Sequence, residues 1–262
     1  MRGDERVDYD AALERARRAA YPAGEYVGQE SLMRASEIRL LAARAGVGPG
    51  TSVLDLCCGT AGPGRLVTAE LGCDYLGVDA SPGAVALARE RAGDLGCRFE
   101  VAHVPPLPPG PFDVVLVLET LLAFPDKDAL LRAVAAALPV GGRFGLTVEE
   151  GLPLTRLERA AMPAADTVWP VPLPELISSL RRTGLRVRWL TEHTRSHRSS
   201  ADGLVQAFLQ DRAAIAARVG DQIVDDLVSA HRLWSAWLGS GRVRKFAVVA
   251  EKTAAREDGR GS

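Results

Sequence analysis

The stretch Val53-Leu54-Asp55-Leu56-Cys57-Cys58-Gly59-Thr60-Ala61-Gly62-Pro63-Gly64 leaves few folds open to this chain. A short apolar strand runs into a turn of small residues, and 65–71 continue as a helix. A second strand, Tyr75-Leu76-Gly77-Val78, leads to Asp79, 20 positions after Gly59 (79 − 59). A turn without bulky side chains lets a ligand lie against the main chain. An acid at the tip of the next strand can accept both hydroxyls of a ribose. Together these features point to a nucleoside-containing cofactor.

The rest of the pattern agrees with a doubly wound α/β sheet. Strands are expected at 52–56, 75–78, 97–101, 112–118 and 143–148. Helices at 63–71, after Ser81 and at 128–138 alternate with them, which implies parallel pairing. Ser81 reads as an N-cap with Pro82 at the first helical position. The run 112–118 is continuously apolar, as in a strand buried on both faces. Ahead of the sheet, helices are expected over 8–20 and 31–45, with a break at 21–28. Behind it, 150–172 is loop-rich with a short helix at 156–161. A helix at 173–183, a strand at 185–190, helices at 199–219 and 221–238 and a strand at 243–251 follow. Residues 1–252 form one domain on this reading, with an N-terminal helical lid (1–50) and a helical insert (194–241) capping the core. The tail 253–262 is polar and expected to be disordered.

The 262 residues are 47% apolar, enough for a sizeable core. A formal charge of −1 argues against a dedicated nucleic-acid binder. No apolar run could span a bilayer, and 1–6 lack a secretory h-region, so a cytoplasmic protein with no membrane partner is expected. Cys57, Cys58, Cys73 and Cys97 lack metal spacing and read as reduced thiols. His193 and His197 stand at i,i+4 without further ligands, so no metal is expected.

The glycines run Gly59-x-x-Gly62-x-Gly64 rather than G-x-G-x-x-G, and Asp55 sits in the strand before the turn. A carboxylate there would repel a pyrophosphate and suits a cationic ligand, which disfavours a nicotinamide dehydrogenase. At these residues the chain resembles the class I S-adenosylmethionine-dependent methyltransferases, over about 21–190 and again at 243–251. Asp55, Cys57, Gly59 and Ala61 occupy the acid and three glycine places of their first motif, with Cys57 and Ala61 replacing two glycines. Asp79 and the adjacent Ala80 occupy the place of the ribose-binding acid. The resemblance implies a Rossmann-like, seven-stranded, mostly parallel sheet with an antiparallel last strand, plus a helical cap. It implies S-adenosylmethionine as cofactor and a small-molecule acceptor. It assigns Tyr26, Gly28 and Gln29 to the methionine end of the cofactor, and His103 and the Val104 backbone to adenine. Glu119 and Thr120, after the fourth strand, take a further cofactor-contacting place.

Acceptor chemistry is less legible. Glu149 and Glu150, Trp169, Glu192, His193 and His197 follow strand ends, where open α/β sheets place their sites. His193 is the first choice for a general base, because imidazole titrates near neutrality, and Glu119 the second. His231, Trp234 and Trp237 read as packing of cap on core, and the arginines at 181–198 as a solvated face. The expected activity is methyl transfer to oxygen, nitrogen or carbon of a small molecule, on the lines of glycine, sarcosine and natural-product methyltransferases in bacterial secondary metabolism. A cyclase or isomerase that retains the cofactor, and a non-catalytic binding protein, are the alternatives. Oligomeric state is left open, a homodimer being one option.

Overall fold

Seven strands build the sheet of this computed structural model, which describes residues 11–254. In chain order the elements are α1 (Ala11–Ala19), α2 (Ala35–Ala45), β1 (Ser52–Leu56), α3 (Gly62–Leu71), β2 (Asp74–Asp79), α4 (Pro82–Ala92) and β3 (Cys97–Val101). Then come β4 (Val114–Val117), α5 (Lys127–Ala137), β5 (Arg143–Glu150), α6 (Arg156–Ala161), α7 (Leu173–Arg182) and β6 (Leu185–Glu192). The chain closes with α8 (Thr194–Gln210), α9 (Arg212–Val219), α10 (Asp221–Ser240) and β7 (Arg244–Lys252). The strand order is β3-β2-β1-β4-β5-β7-β6. β1 to β5 pair in parallel, and β7 lies antiparallel between β5 and β6.

Apolar side chains cover both faces of the sheet, as parallel strands require. On one face Leu54, Leu56 and Val115 pack under Leu130 and Leu131 of α5 and Leu176 and Leu180 of α7. On the other Val53, Val114 and Val249 pack under Ile38 and Leu41 of α2, Val67 of α3 and Val85 of α4. A third apolar body stands apart from the sheet: Leu13 of α1, Phe208 of α8, Ile215 of α9 and Val224 of α10 bury one another. The N-terminal helix and the insert thus form one helical cap. No helix among the described residues is long and apolar enough to cross a membrane.

Local signals account for most boundaries. The Ser81 hydroxyl accepts from Ala84 N at 3.1 Å, capping α4. Thr155 and Glu158 cap α6 reciprocally. Three expectations need correction. The helix expected from 31 begins at Ala35, because residues 31–34 are bent around the Gln29 amide, which donates to Met33 O at 2.8 Å. The single helix expected over 199–219 is two, α8 and α9, which meet at Asp211. Thr253, expected in a free tail, donates its backbone N–H to Gly184 O. Residues 255–262 of that tail, and residues 1–10 of the lid and first helix, lie outside the described residues.

Candidate functional site

The turn after β1 is held in an uncommon backbone shape. Cys57, Gly59 and Ala61 all have left-handed φ values, 59°, 54° and 58°. Side chains other than glycine seldom adopt this region, and such strain concentrates where a ligand needs the backbone. Asp79 fixes the turn from the neighbouring strand. Its Oδ2 accepts from Gly59 N and its Oδ1 from Ser81 N, both at 2.9 Å. Residues 28–29 close the turn from outside: a Cβ on Gly62 would lie 2.5 Å from the Gly28 carbonyl carbon. Between these walls lies a cavity of about 280 Å³, lined by Gly28, Cys57, Gly59, Ala61, Asp79 and Thr120 among others. A Cβ on Gly59 would meet nothing within 4 Å and would project into open space.

This cradle fits the cofactor that the sequence implies. Each Asp79 oxygen keeps a lone pair beyond its backbone bond, the acceptor pair a ribose diol needs. Glu119, at the far end, supplies negative charge for a cationic group. Gly28, Gln29, Cys57, Gly59, Ala61, Asp79, Glu119 and Thr120 all line the cavity.

Asp55, Tyr26, Ala80, His103 and Val104 do not line this cavity, and Gln29 lines it with its side chain already bonded. Asp55 is buried under the turn, where its Oδ2 accepts from the Tyr75 hydroxyl at 2.6 Å, and burial pushes its pKa up to about 7. Tyr26 points into the cap, donating to Glu14 Oε2 at 3.0 Å, while Tyr21 lines a second cavity. The Gln29 side chain is consumed in its own segment: Oε1 accepts from Val27 N, and Nε2 donates to Glu25 O and Met33 O. Ala80 and His103 are exposed and Val104 is half-buried against the core, and none of the three lines the cavity.

A second cavity, of about 340 Å³, shares the lining residues Gln29, Glu30, Ser31 and Glu119 with the first. Its sides are apolar, formed by Leu32, Leu122, Leu204, Leu227, Trp234 and Leu238. Its polar wall is a buried triad. Lys245 Nζ lies 2.7 Å from Glu119 Oε1 and is ion-paired with Glu149 Oε1. Desolvation opposes the charge of Lys245, but the two carboxylates outweigh it and raise its pKa. Desolvation likewise opposes ionisation of Glu119, yet Lys245 and His197 bring its pKa below the ordinary range. For Glu149 desolvation prevails, and its pKa is raised.

Behind the triad lies a second set of charges. His197, 1% exposed, places Nε2 at 3.0 Å from Glu37 Oε2 and Nδ1 at 3.7 Å from Glu119 Oε2. His193 Nδ1 lies 3.2 Å from Glu37 Oε1. Burial works against a charged Glu37, but its bonds to His193 and His197 outweigh that and bring its pKa far below the ordinary range.

His193 therefore stands against α2 and lines neither cavity. The topology gives the reason. β7 inserts between β5 and β6, so β6 is an edge strand and its end is displaced from the β1–β4 crevice. The same insertion explains why Lys245 escaped notice. β7 runs antiparallel, so its beginning, not its end, reaches the carboxyl edge of the parallel strands. Glu37 had no sequence signal beyond a lone acid on an apolar helix face. His231 and Trp234, read as packing, line the second cavity, whereas Trp237 is buried in a core cluster.

The fold and the turn together define a Rossmann-like α/β protein, with the turn after β1 facing a cavity. Comparison with known proteins makes this specific. Residues 53–142 match the family model described as a methyltransferase domain. Over 103 residues the chain is 35% identical to phosphoethanolamine N-methyltransferase 3 of Arabidopsis thaliana, covering 38% of this chain and 21% of that protein. Matches to the first curated relatives thus span only about a fifth of their length. In fold the chain is similar to a cyclopropane synthase from Mycobacterium tuberculosis, with a TM-score of 0.81 and 16% identity, over 95% of this chain and 96% of that one. It is also similar to phosphoethanolamine N-methyltransferase 2 of Haemonchus contortus, with a TM-score of 0.78 and 19% identity, over 95% of this chain and 59% of that one. Residues 53–142 thus match a methyltransferase domain, and the chain as a whole shares the fold of these solved structures.

Proposed function

We propose that this protein transfers the methyl group of S-adenosylmethionine, held over the turn at 57–61, to a small molecule seated in the second cavity. The observation that carries the reading is the set of lining residues that the two cavities share, 29–31 and Glu119. A cofactor in one and an acceptor in the other would lie on either side of these shared residues. The Haemonchus contortus enzyme was solved with S-adenosylhomocysteine, which supports the choice of cofactor. A second cavity of about 340 Å³ beneath helices α8 and α10 favours a small acceptor over a macromolecule.

The cofactor supplies an electrophilic methyl group on a sulfonium. Asp79 anchors the ribose through its two remaining lone pairs. The backbone at 57–61 lets the cofactor chain lie close, and Glu119 places negative charge at the cationic end. Tyr21, residues 29–32 and the cap helices exclude water and set the acceptor in line with the methyl group. For such a displacement, positioning supplies much of the acceleration.

Calorimetry with S-adenosylhomocysteine, followed by transfer of labelled methyl from S-adenosylmethionine to a metabolite panel, tests the reading. Saturable one-to-one binding and a labelled small product are expected. Absence of cofactor binding would overturn it.

A further inference from the structure

We propose that Glu149 is the general base of this site, and that the acceptor is a compact, largely apolar molecule whose nucleophile bears a proton, an amine or hydroxyl rather than a carbon. This rests on the functional reading above and adds to it the acceptor class and the residue that receives the proton.

Two carboxylate oxygens on the wall of the second cavity are buried without a hydrogen-bond partner: Glu119 Oε1, which lies 2.7 Å from Lys245 Nζ, and Glu149 Oε2. Glu149 is 5% exposed. Several other polar groups on the wall are engaged. Glu119 Oε1 is ion-paired with Lys245, and Glu119 Oε2 accepts from Leu32 N at 3.4 Å. Arg17 pairs with Glu30, the Tyr21 hydroxyl donates to Ser31 O, and His231 Nδ1 contacts Leu227 O. A buried carboxylate oxygen left bare is costly, so such an atom marks the place of a missing donor. A bound N–H or O–H supplies that donor. An alkene or other carbon nucleophile has none to offer. The apolar sides, Leu32, Leu204, Leu227 and Trp234 among them, fit the body of the acceptor.

Lys245 bridges Glu149 and Glu119, so Glu149 sits one cation away from a residue that lines both cavities. In the transfer, the acceptor heteroatom's lone pair forms the new bond to carbon. The carbon–sulfur pair stays on sulfur as a thioether, and the heteroatom's proton passes to Glu149 Oε2. The surroundings favour Glu149 over Glu119 in this role. Lys245 of β7 faces both carboxylates, while His197 of α8, itself bound to Glu37 of α2, places Nδ1 at 3.7 Å from Glu119 Oε2. Lys127 of α5 interacts electrostatically with Glu149, and Arg17, Glu30 and His231 face the same cavity from the cap. Burial leaves Glu149 with a raised pKa, nearer the working pH that an efficient base needs.

The test uses four probes of one shape: 4-butylphenol, 4-butylaniline, 4-butylanisole and butylbenzene. Their binding to the S-adenosylhomocysteine-loaded protein is read from the fluorescence of Trp234, which lines the cavity. The phenol and the aniline are expected to bind at least tenfold more tightly than the other two, and increasingly so as pH rises through the Glu149 titration. Glu149→Leu should abolish the preference. Glu149→Gln should keep it and lose the pH dependence. Equal binding of all four probes, no binding by any, or a preference that survives Glu149→Leu would overturn the proposal. Should Glu149→Leu fail to fold, the pH profiles of wild type and Glu149→Gln decide, and parallel profiles overturn it. If S-adenosylhomocysteine binds but the preference is missing, this inference alone falls. If S-adenosylhomocysteine does not bind, the functional reading falls first.

Discussion

The two cavities share Glu119 in their linings, yet they are built by different means. The cavity over the turn is lined largely by two short stretches of chain, 57–63 and 28–31, with Asp79, Ala84 and 118–120. The second cavity is made of side chains from distant parts of the chain. Tyr21, Glu149, Leu204, Trp234 and Lys245 come from the start, middle and end of the sequence. The first therefore depends on backbone conformation and a few hydrogen bonds. The second depends on a balance of buried charges that no single segment contains.

The sharpest way to break this comparison is at Lys245. Lys245→Met leaves Glu119 and Glu149 buried without their shared cation. Removing one partner of a buried ionic group costs about 3–5 kcal/mol, and urea unfolding should show a loss of that order. Converting all three residues, as Lys245→Met with Glu119→Gln and Glu149→Leu, should recover most of it, because an apolar replacement of a buried ionic group is often neutral. A single-variant loss below about 1 kcal/mol would show that the carboxylates are relieved by water in solution.

At the first cavity, Asp79→Ala should act on binding more than on folding. It removes an ionised acceptor from the lip of the cavity and frees Gly59 N and Ser81 N. Loss of a hydrogen bond to a charged group costs about 1.5–3 kcal/mol, or roughly ten- to a hundred-fold in affinity for S-adenosylhomocysteine. Calorimetry showing unchanged affinity would place the ribose elsewhere.

What was legible in the sequence follows the same division. β1 and β3 have the expected bounds, Ser81 caps α4, and the turn residues line the cavity, because strand periodicity, small residues and capping chemistry are local. Asp55 was placed one layer too close to the ligand. Motif position fixes its strand but not the face on which its carboxylate emerges, and that face carries Tyr75. His193 was chosen by its place after a strand, without allowance for the edge position of β6. Lys245 and Glu37 were missed because their significance exists only after β7 has inserted antiparallel and α8 has packed on α2.

Asp55 sharpens the comparison through pH. Its folded pKa, about 7, lies above the ordinary aspartate value. For an acid raised on folding, the stabilising contribution is complete below the unfolded pKa and lost as pH rises through the folded one. Wild-type stability should therefore carry a downward slope from the ordinary aspartate range to about pH 7. Asp55→Asn keeps an acceptor for the Tyr75 hydroxyl and has no charge to bury, so that component of the slope should vanish. Unfolding free energies across pH 4–8 would show it, and identical profiles for the two proteins would assign the slope to other groups.

The smallest effect expected is at Ala61, and it isolates the backbone character of the cofactor cavity. Ala61 is fully buried at the start of α3, with φ at 58°. Exchanging a buried alanine for glycine ordinarily costs about 0.5–1 kcal/mol in backbone entropy, and the lost methyl burial adds about 0.8 kcal/mol. A left-handed conformation costs a side chain about 1–2 kcal/mol, which glycine escapes. The two sums offset, so Ala61→Gly should stay within about 0.5 kcal/mol of wild type. Ala88→Gly provides the contrast: Ala88 is equally buried but lies inside α4, where there is no such strain to relieve. It should lose about 1–2 kcal/mol. Denaturant unfolding of the pair measures the difference directly. Equal losses would mean that the turn is not strained at Ala61, and that alanine there suits the backbone as well as glycine would.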